Sequence, residues 1–188
     1  GNDFETEISH TGADALSFLL LTGARWSEMA TLTWDNVNLD EQWWHISDPK
    51  NRNPVTFPLP KTLVDILSKR PKINEYVFPG RSGIGPIKDI RGHFEKISAI
   101  AGLRVTAHDL RRTFSSIANE LGIELWKSKL LMNHRLTQDV HIGHYTETSD
   151  LRYLQPEIEM IATWITRQAA IAKSEKVIPF PSRKTGGS

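Results

Sequence analysis

A histidine and an arginine spaced three apart are the residues of this chain whose chemistry stands out first. They lie in His108-Asp109-Leu110-Arg111-Arg112-Thr113-Phe114. Thr106 precedes them as a helix N-cap, with the acidic Asp109 three positions on, close to a capping box. On a helix, residues three apart share a face. A helix N-terminus favours an anion, and the Arg111 guanidinium is a fixed-charge fork matched to phosphate. The stretch reads either as a phosphate site or as a capped surface helix with solvated charges.

Three further places carry chemistry. In Thr22-Gly23-Ala24-Arg25-Trp26-Ser27-Glu28, Arg25 follows a helix-ending glycine and Glu28 lies three residues on. Taken alone, such a pair is a modest surface ion pair. Lys50 stands in the polar stretch Asp48-Pro49-Lys50-Asn51-Arg52-Asn53-Pro54. There it either reaches a ligand and donates a proton, or is simply solvated. Leu130-Leu131-Met132-Asn133-His134 runs a helix end into an imidazole, and His141, His144 and Tyr145 follow. These histidines also raise a metal site, although no H-E-x-x-H motif and no cysteine supports it.

The elements that must position these groups are mostly helices. Gly12 to Thr22 is apolar nearly all round, through Leu16, Phe18, Leu19, Leu20 and Leu21, and Gly23 is a fitting stop. Trp26 to Leu32 reads as a second helix. Trp43 to Ser47 and Val55 to Leu59 read as short antiparallel strands around the Lys50 loop. Helical spacing returns at Lys61 to Lys69, at Lys88 to Ala101 (through Ile90, Phe94, Ile97 and Ile100), and from Thr106 to Leu121. Further helices fit Glu124–Met132 and Ser149–Arg167. The expected fold is α+β, mainly α-helical, with a small antiparallel β-sheet. Residues 1–171 form one domain, and residues 172–188 are a polar, flexible tail.

Composition narrows the class. A chain of 188 residues suits one domain, and 39% hydrophobic with 24% charged residues is an ordinary globular balance. No apolar run is long enough to span a bilayer. The absence of cysteine excludes disulfides and thiolate sites from this chain and fits a reducing cytoplasm. A net charge of +1 gives no overall pull toward nucleic acid, so any cations that meet phosphates must cluster locally.

Taken in order, the chemical residues resemble the catalytic domain of the tyrosine recombinase, or phage integrase, family. That family carries an arginine in a T-G-x-R-x-x-E context, a β-hairpin lysine, an H-x-L-R-x-T box, a histidine often written L-G-H, and a tyrosine soon after. Here these fall on Arg25 with Glu28, Lys50, His108 with Arg111, His134 and Tyr145. The resemblance spans roughly Thr11 to Trp164. Asn133 stands where glycine is usual. The run from His134 to Tyr145 is slightly longer than in many members, which makes Tyr153 a competing nucleophile. Lys61 lies near Lys50. The family's separate N-terminal DNA-clamping domain has no counterpart here, so the chain is expected to be part of a longer enzyme.

The resemblance implies a site-specific DNA recombinase, the integrase of a phage or mobile element, that cleaves and rejoins strands through a 3′-phosphotyrosyl link. It implies Tyr145 as nucleophile, Arg25 and Arg111 as clamps on the phosphate oxygens, and His108 as proton acceptor. Lys50 would protonate the leaving 5′-oxygen, His134 would hydrogen-bond the phosphate, and Glu28 would orient its neighbours. Arg25, Lys50, Arg52, Arg111 and Arg112 would contact DNA. No cofactor or metal is required. The partners implied are duplex attachment sites and a homotetramer on DNA. The apolar stripe Leu151, Leu154, Ile158, Ile161, Ala162 and Ile165 would pack either on its own domain or on a neighbouring protomer. Two other readings stay open: a catalytically inactive DNA-binding relative and a type IB topoisomerase-like enzyme.

Overall fold

The first helix is built around a run that has no polar stripe, and such a run has to be buried. A computed structural model describes residues 2–47, 54–134 and 149–175 of the chain. Lys50, Arg52, His141, His144 and Tyr145 lie outside the described residues, as do residues 176–188. Helix α1 (Asn2–Thr22) starts ten residues before the expected Gly12. The early part contains no proline or glycine to break a helix, but it also lacks the apolar spacing that marks one. Gly12, taken as a start, sits inside the helix. A side chain there would meet the His93 imidazole at 2.3 Å, so glycine permits that close approach.

Seven helices and one small sheet are present among the described residues. After α1 come α2 (Trp26–Ala30), β1 (Val37–Asn38), β2 (Trp43–Ile46) and β3 (Val55–Pro58). Then follow α3 (Lys61–Leu67), α4 (Arg91–Ala101), α5 (Ala107–Glu120), α6 (Leu125–Leu131) and α7 (Gln155–Glu175). The strands pair antiparallel in the order β1-β2-β3, with Trp44 opposite Phe57 and His45 opposite Thr56. The period-two alternation of a strand puts Trp44 and Phe57 on the same inner face. Their rings stack at 4.6 Å.

Phe18 of α1 ties the layers together. Its ring meets Trp44 edge-on at 5.3 Å and Phe78 at 5.6 Å, geometries that aromatic quadrupoles favour. Beneath this cluster Arg70 is 8% exposed. It is satisfied by Asp14, by the Thr11 hydroxyl at 3.0 Å and by the Val77 carbonyl at 3.0 Å. A buried guanidinium is tolerable only with such a full set of acceptors. Helix α5 buries Phe114, Ile117 and Ala118 and packs on α1, α6 and α7.

Three expectations change. Helix α4 begins at Arg91 rather than Lys88, because Asp89 accepts the Arg91 backbone N–H in a turn at 2.7 Å. It buries no residue, and Ile100, expected inward, is 78% exposed. Ser149–Leu151 are not helical; they run beside β3, with Thr56 N–H donating to the Ser149 carbonyl (2.7 Å) and Leu151 N–H to the Thr56 carbonyl (2.8 Å). Only then do a 3₁₀ turn (Arg152–Leu154) and α7 follow. Helix α7 continues to Glu175, three residues past Ala172 where the tail was expected to begin. Its first half buries Ile158, Ile161 and Ala162 in its own domain, which accounts for most of the apolar stripe. Among the described residues no helix is long and apolar enough to cross a membrane.

Candidate active site

The turn after α1 is where the chemistry gathers, and its shape follows from one glycine. Gly23 has φ +64°, the left-handed conformation that closes α1. A Cβ at this position would stand 2.8 Å from the Phe114 ring of α5 and 3.0 Å from the Met132 side chain. Two neighbouring elements therefore press directly on this backbone. The Gly23 carbonyl accepts a hydrogen bond from Arg111 Nη1 at 2.6 Å. Arg111 is thus held against the turn that presents Arg25.

Arg25 is the N-cap of α2, and Glu28 occupies the third position of that helix. The Glu28 carboxylate accepts from the Arg25 backbone N–H (2.8 Å) and from Arg25 Nη1 (2.8 Å). Its side chain is 11% exposed, against 36% for Arg25. The pair is therefore not the solvated surface pair that the sequence alone allows. It has a third member. Asn133 Nδ2 donates to Glu28 Oε1 at 2.9 Å, and the Asn133 carbonyl accepts from Arg25 Nη1 at 3.1 Å.

Asn133 reaches this place because of how α6 ends. The Asn133 N–H donates to the Leu130 carbonyl and the His134 N–H to the Lys129 carbonyl, both at 2.8 Å. This paired pattern with a left-handed residue is the Schellman stop. Asn133 is that residue, with φ +52°. Asparagine is among the few side chains that accept this conformation readily. The turn delivers His134, which is exposed, to the same edge of the molecule as Arg25.

Helix α5 supplies the other imidazole. Thr106 caps it: its hydroxyl accepts from the Asp109 N–H at 3.3 Å, and Asp109 accepts the Thr106 N–H at 3.0 Å. The Thr106 hydroxyl also donates to the Asp109 carboxylate at 2.6 Å and, with the backbone bond, holds that carboxyl below its usual range. His108 is exposed in the first turn, on the face it shares with the half-buried Arg111 one turn later. Arg112 is exposed beside it.

Hydrogen bonds thereby join Arg25, Glu28 and the Asn133-His134 turn, and Arg111 is tied to the Gly23 carbonyl two residues before Arg25. Lys50, Arg52 and Tyr145 lie outside the described residues. Strands β2 and β3 flank the Lys50 segment, with Ile46 opposite Val55. Ser149 lies against Thr56 of the same hairpin. Sequence reasoning missed Asn133 as a partner of Glu28. The available sign was the asparagine itself, at a helix stop where glycine is usual.

Among the described residues no group of three or more histidine, aspartate or glutamate side chains is arranged to hold a metal. His134 stands apart from such a cluster, and His141 and His144 lie outside the described residues.

Comparison with known proteins identifies the family and the fold. The model of the phage integrase family matches residues 4–152. The prophage integrase IntF of Escherichia coli strain K12 is 29% identical over 170 residues, covering 86% of this chain and 36% of that protein. The tyrosine recombinase XerA of Thermococcus kodakarensis is 28% identical over 166 residues, covering 79% of this chain and 56% of the relative. Among solved structures, the integrase of mycobacterium phage Brujita aligns with a TM-score of 0.55 and 24% identity, over 93% of this chain and 54% of that one. The XerH recombinase in a pre-cleavage complex with its difH substrate also gives 0.55, at 16% identity, over 89% of this chain and 49% of that one. These two establish the shared fold. The chain spans between 36% and 56% of the length of the two curated relatives described.

Proposed function

This chain belongs to the phage integrase family, and on that premise we propose that it is the strand-cleaving and rejoining domain of a site-specific DNA recombinase. The observation that carries the reading is the hydrogen-bonded junction of Arg25, Glu28, Arg111 and the Asn133-His134 turn. Two guanidiniums and an imidazole at one edge match the needs of a phosphoryl group under attack. An in-line displacement builds charge on the nonbridging oxygens, and preorganised donors aimed at that charge are usually the largest catalytic term.

The Tyr145 phenolic oxygen forms a bond to the scissile phosphorus, and the bond from phosphorus to the 5′-oxygen breaks. His108 takes the phenolic proton, which tyrosine holds near pH ~10 unaided. The departing electron pair stays on the 5′-oxygen, and Lys50 protonates it. Arg25 and Arg111 hold the nonbridging oxygens, and His134 hydrogen-bonds one of them. Glu28 touches no DNA and orients Arg25. Attack by another 5′-hydroxyl reverses the step and joins a new strand. The phosphotyrosyl link conserves the energy of the phosphodiester, so no ATP enters. Arg52 and Arg112 extend the cationic contact along the duplex. The partner is duplex DNA in the cytoplasm, and strand exchange assembles four copies on it.

The experiment is strand cleavage of a nicked suicide duplex in excess EDTA. The proposal expects a covalent protein–DNA adduct that accumulates undiminished by the chelator. Free DNA ends without adduct, abolished by EDTA and restored by manganese or zinc, would instead assign a metal-dependent hydrolase built on His134, His141 and His144.

A further inference from the structure

We propose that Asn133 is a positioning residue of the strand-cleavage reaction, acting through Glu28 to fix the direction of the Arg25 guanidinium. The inference rests on the functional reading above and adds a residue to it. Its basis is that Asn133 does two separable things. Its backbone adopts φ +52° and turns His134 out of α6, which glycine would do at least as well. Its side chain then adds a contact that glycine cannot make, the 2.9 Å bond from Nδ2 to Glu28 Oε1.

The consequence follows from counting donors. Glu28 Oε2 takes the Arg25 backbone N–H, while Oε1 takes Arg25 Nη1 and Asn133 Nδ2. The carboxylate is 11% exposed, so solvent contributes little to replacing a lost donor. Arg25 Nη1 is in turn shared between Glu28 Oε1 and the Asn133 carbonyl at 3.1 Å. Among the described residues these bonds all use Nη1. The planar fork is thereby gripped on one nitrogen, and Nη2 and Nε are left to meet phosphate oxygens. The amide of Asn133 fixes the carboxylate that does the gripping. Without that amide, Glu28 Oε1 keeps one donor of its two, and the carboxylate that grips Nη1 is less firmly held. Because the same residue carries the carbonyl that accepts from Arg25 Nη1 and the peptide leading into His134, the two phosphate-facing groups are registered to each other through Asn133.

The test uses Asn133→Gly, which keeps the left-handed turn and the carbonyl and removes only the amide. Its thermal midpoint is expected to stay within a few degrees of the unsubstituted chain, the easier left-handed turn offsetting part of the lost bond. Two readouts follow. The first is the Nε–Hε resonance of Arg25 in a nitrogen-15 spectrum, assigned by its disappearance in Arg25→Lys. It is expected to be sharp in the parent chain and broadened or shifted in Asn133→Gly. This arm needs no catalysis, so it stands even if the chain forms no adduct with DNA, an outcome that would sink the functional reading instead. The second is the adduct-forming rate on the nicked duplex at saturating protein. Loss of an outer partner that orients a reacting group costs about tenfold or more, and here the half-saturating concentration should stay unchanged. Repeating the substitution in a Glu28→Ala background should give almost no additional loss, since the side-chain path from Asn133 to Arg25 is already cut. An unchanged Arg25 resonance, an unchanged rate, or an equal loss in both backgrounds would each overturn the proposal.

Discussion

Arg111→Ala is expected to slow covalent strand cleavage by at least about a hundredfold, the usual cost of removing one preorganised donor to a developing oxyanion. Arg111→Lys is expected to recover little of that. A lysine keeps the charge, but it cannot hold the Gly23 carbonyl with one nitrogen while offering another to phosphate. Arg111→Ala also loses the 2.6 Å bond to Gly23, so a modest drop in stability accompanies the kinetic loss. The two effects separate cleanly. Rate is read at saturating protein below the melting transition, and stability is read from thermal unfolding without DNA. A folded Arg111→Ala that cleaves within tenfold of the parent chain would remove Arg111 from the proposed chemistry.

Gly23→Ala carries the largest expected effect on stability. Alanine at φ +64° suffers the left-handed penalty of roughly 1–2 kcal/mol. The new methyl also stands 2.8 Å from Phe114, which is fully buried and cannot retreat without disturbing the contact between α1 and α5. Overpacking of that kind costs about 1–3 kcal/mol. Together they approach roughly 2–5 kcal/mol, a large part of a typical domain's total. The midpoint of thermal unfolding should fall by roughly 4–20 °C for a domain of this size. Adding Phe114→Leu makes room for the methyl and should return part of that loss in the Gly23→Ala background, whereas in the parent chain the same change opens a cavity and destabilises. A Gly23→Ala midpoint within measurement error of the parent would refute the close approach of α5. Because Gly23 also holds Arg111, cleavage should fall further than stability alone explains.

The parts of this fold that the sequence made legible are those where one residue leaves no choice. Gly23 stops a helix, Thr106 and Asp109 start one, and the alternation around Trp44 and Phe57 marks the hairpin. The misread parts have a common cause. The first turns of α1 carry no apolar stripe, so nothing in their spacing marks a helix. Ser149–Leu151 look helical locally, but the open edge of β3 offers them backbone partners, and that long-range pairing wins. Ile100 has helical spacing with Phe94 and Ile97, yet α4 lies at the surface and leaves it uncovered. At the site, the order of Arg25, His108, Arg111 and His134 was readable, while the tie among them was not. The bond from Asn133 to Glu28 joins residues 105 positions apart, and no local pattern encodes it.

The tyrosine that bonds to DNA can be mapped directly. The chain is trapped on a nicked suicide duplex, digested, and the DNA-linked peptide is identified by mass spectrometry. Three tyrosines are available to carry the phosphate: Tyr76, Tyr145 and Tyr153. The account predicts a phosphotyrosyl link on Tyr145 alone, absent from Tyr145→Phe and still formed by Tyr153→Phe. A link mapped to Tyr153, or an adduct that survives in Tyr145→Phe, would contradict it.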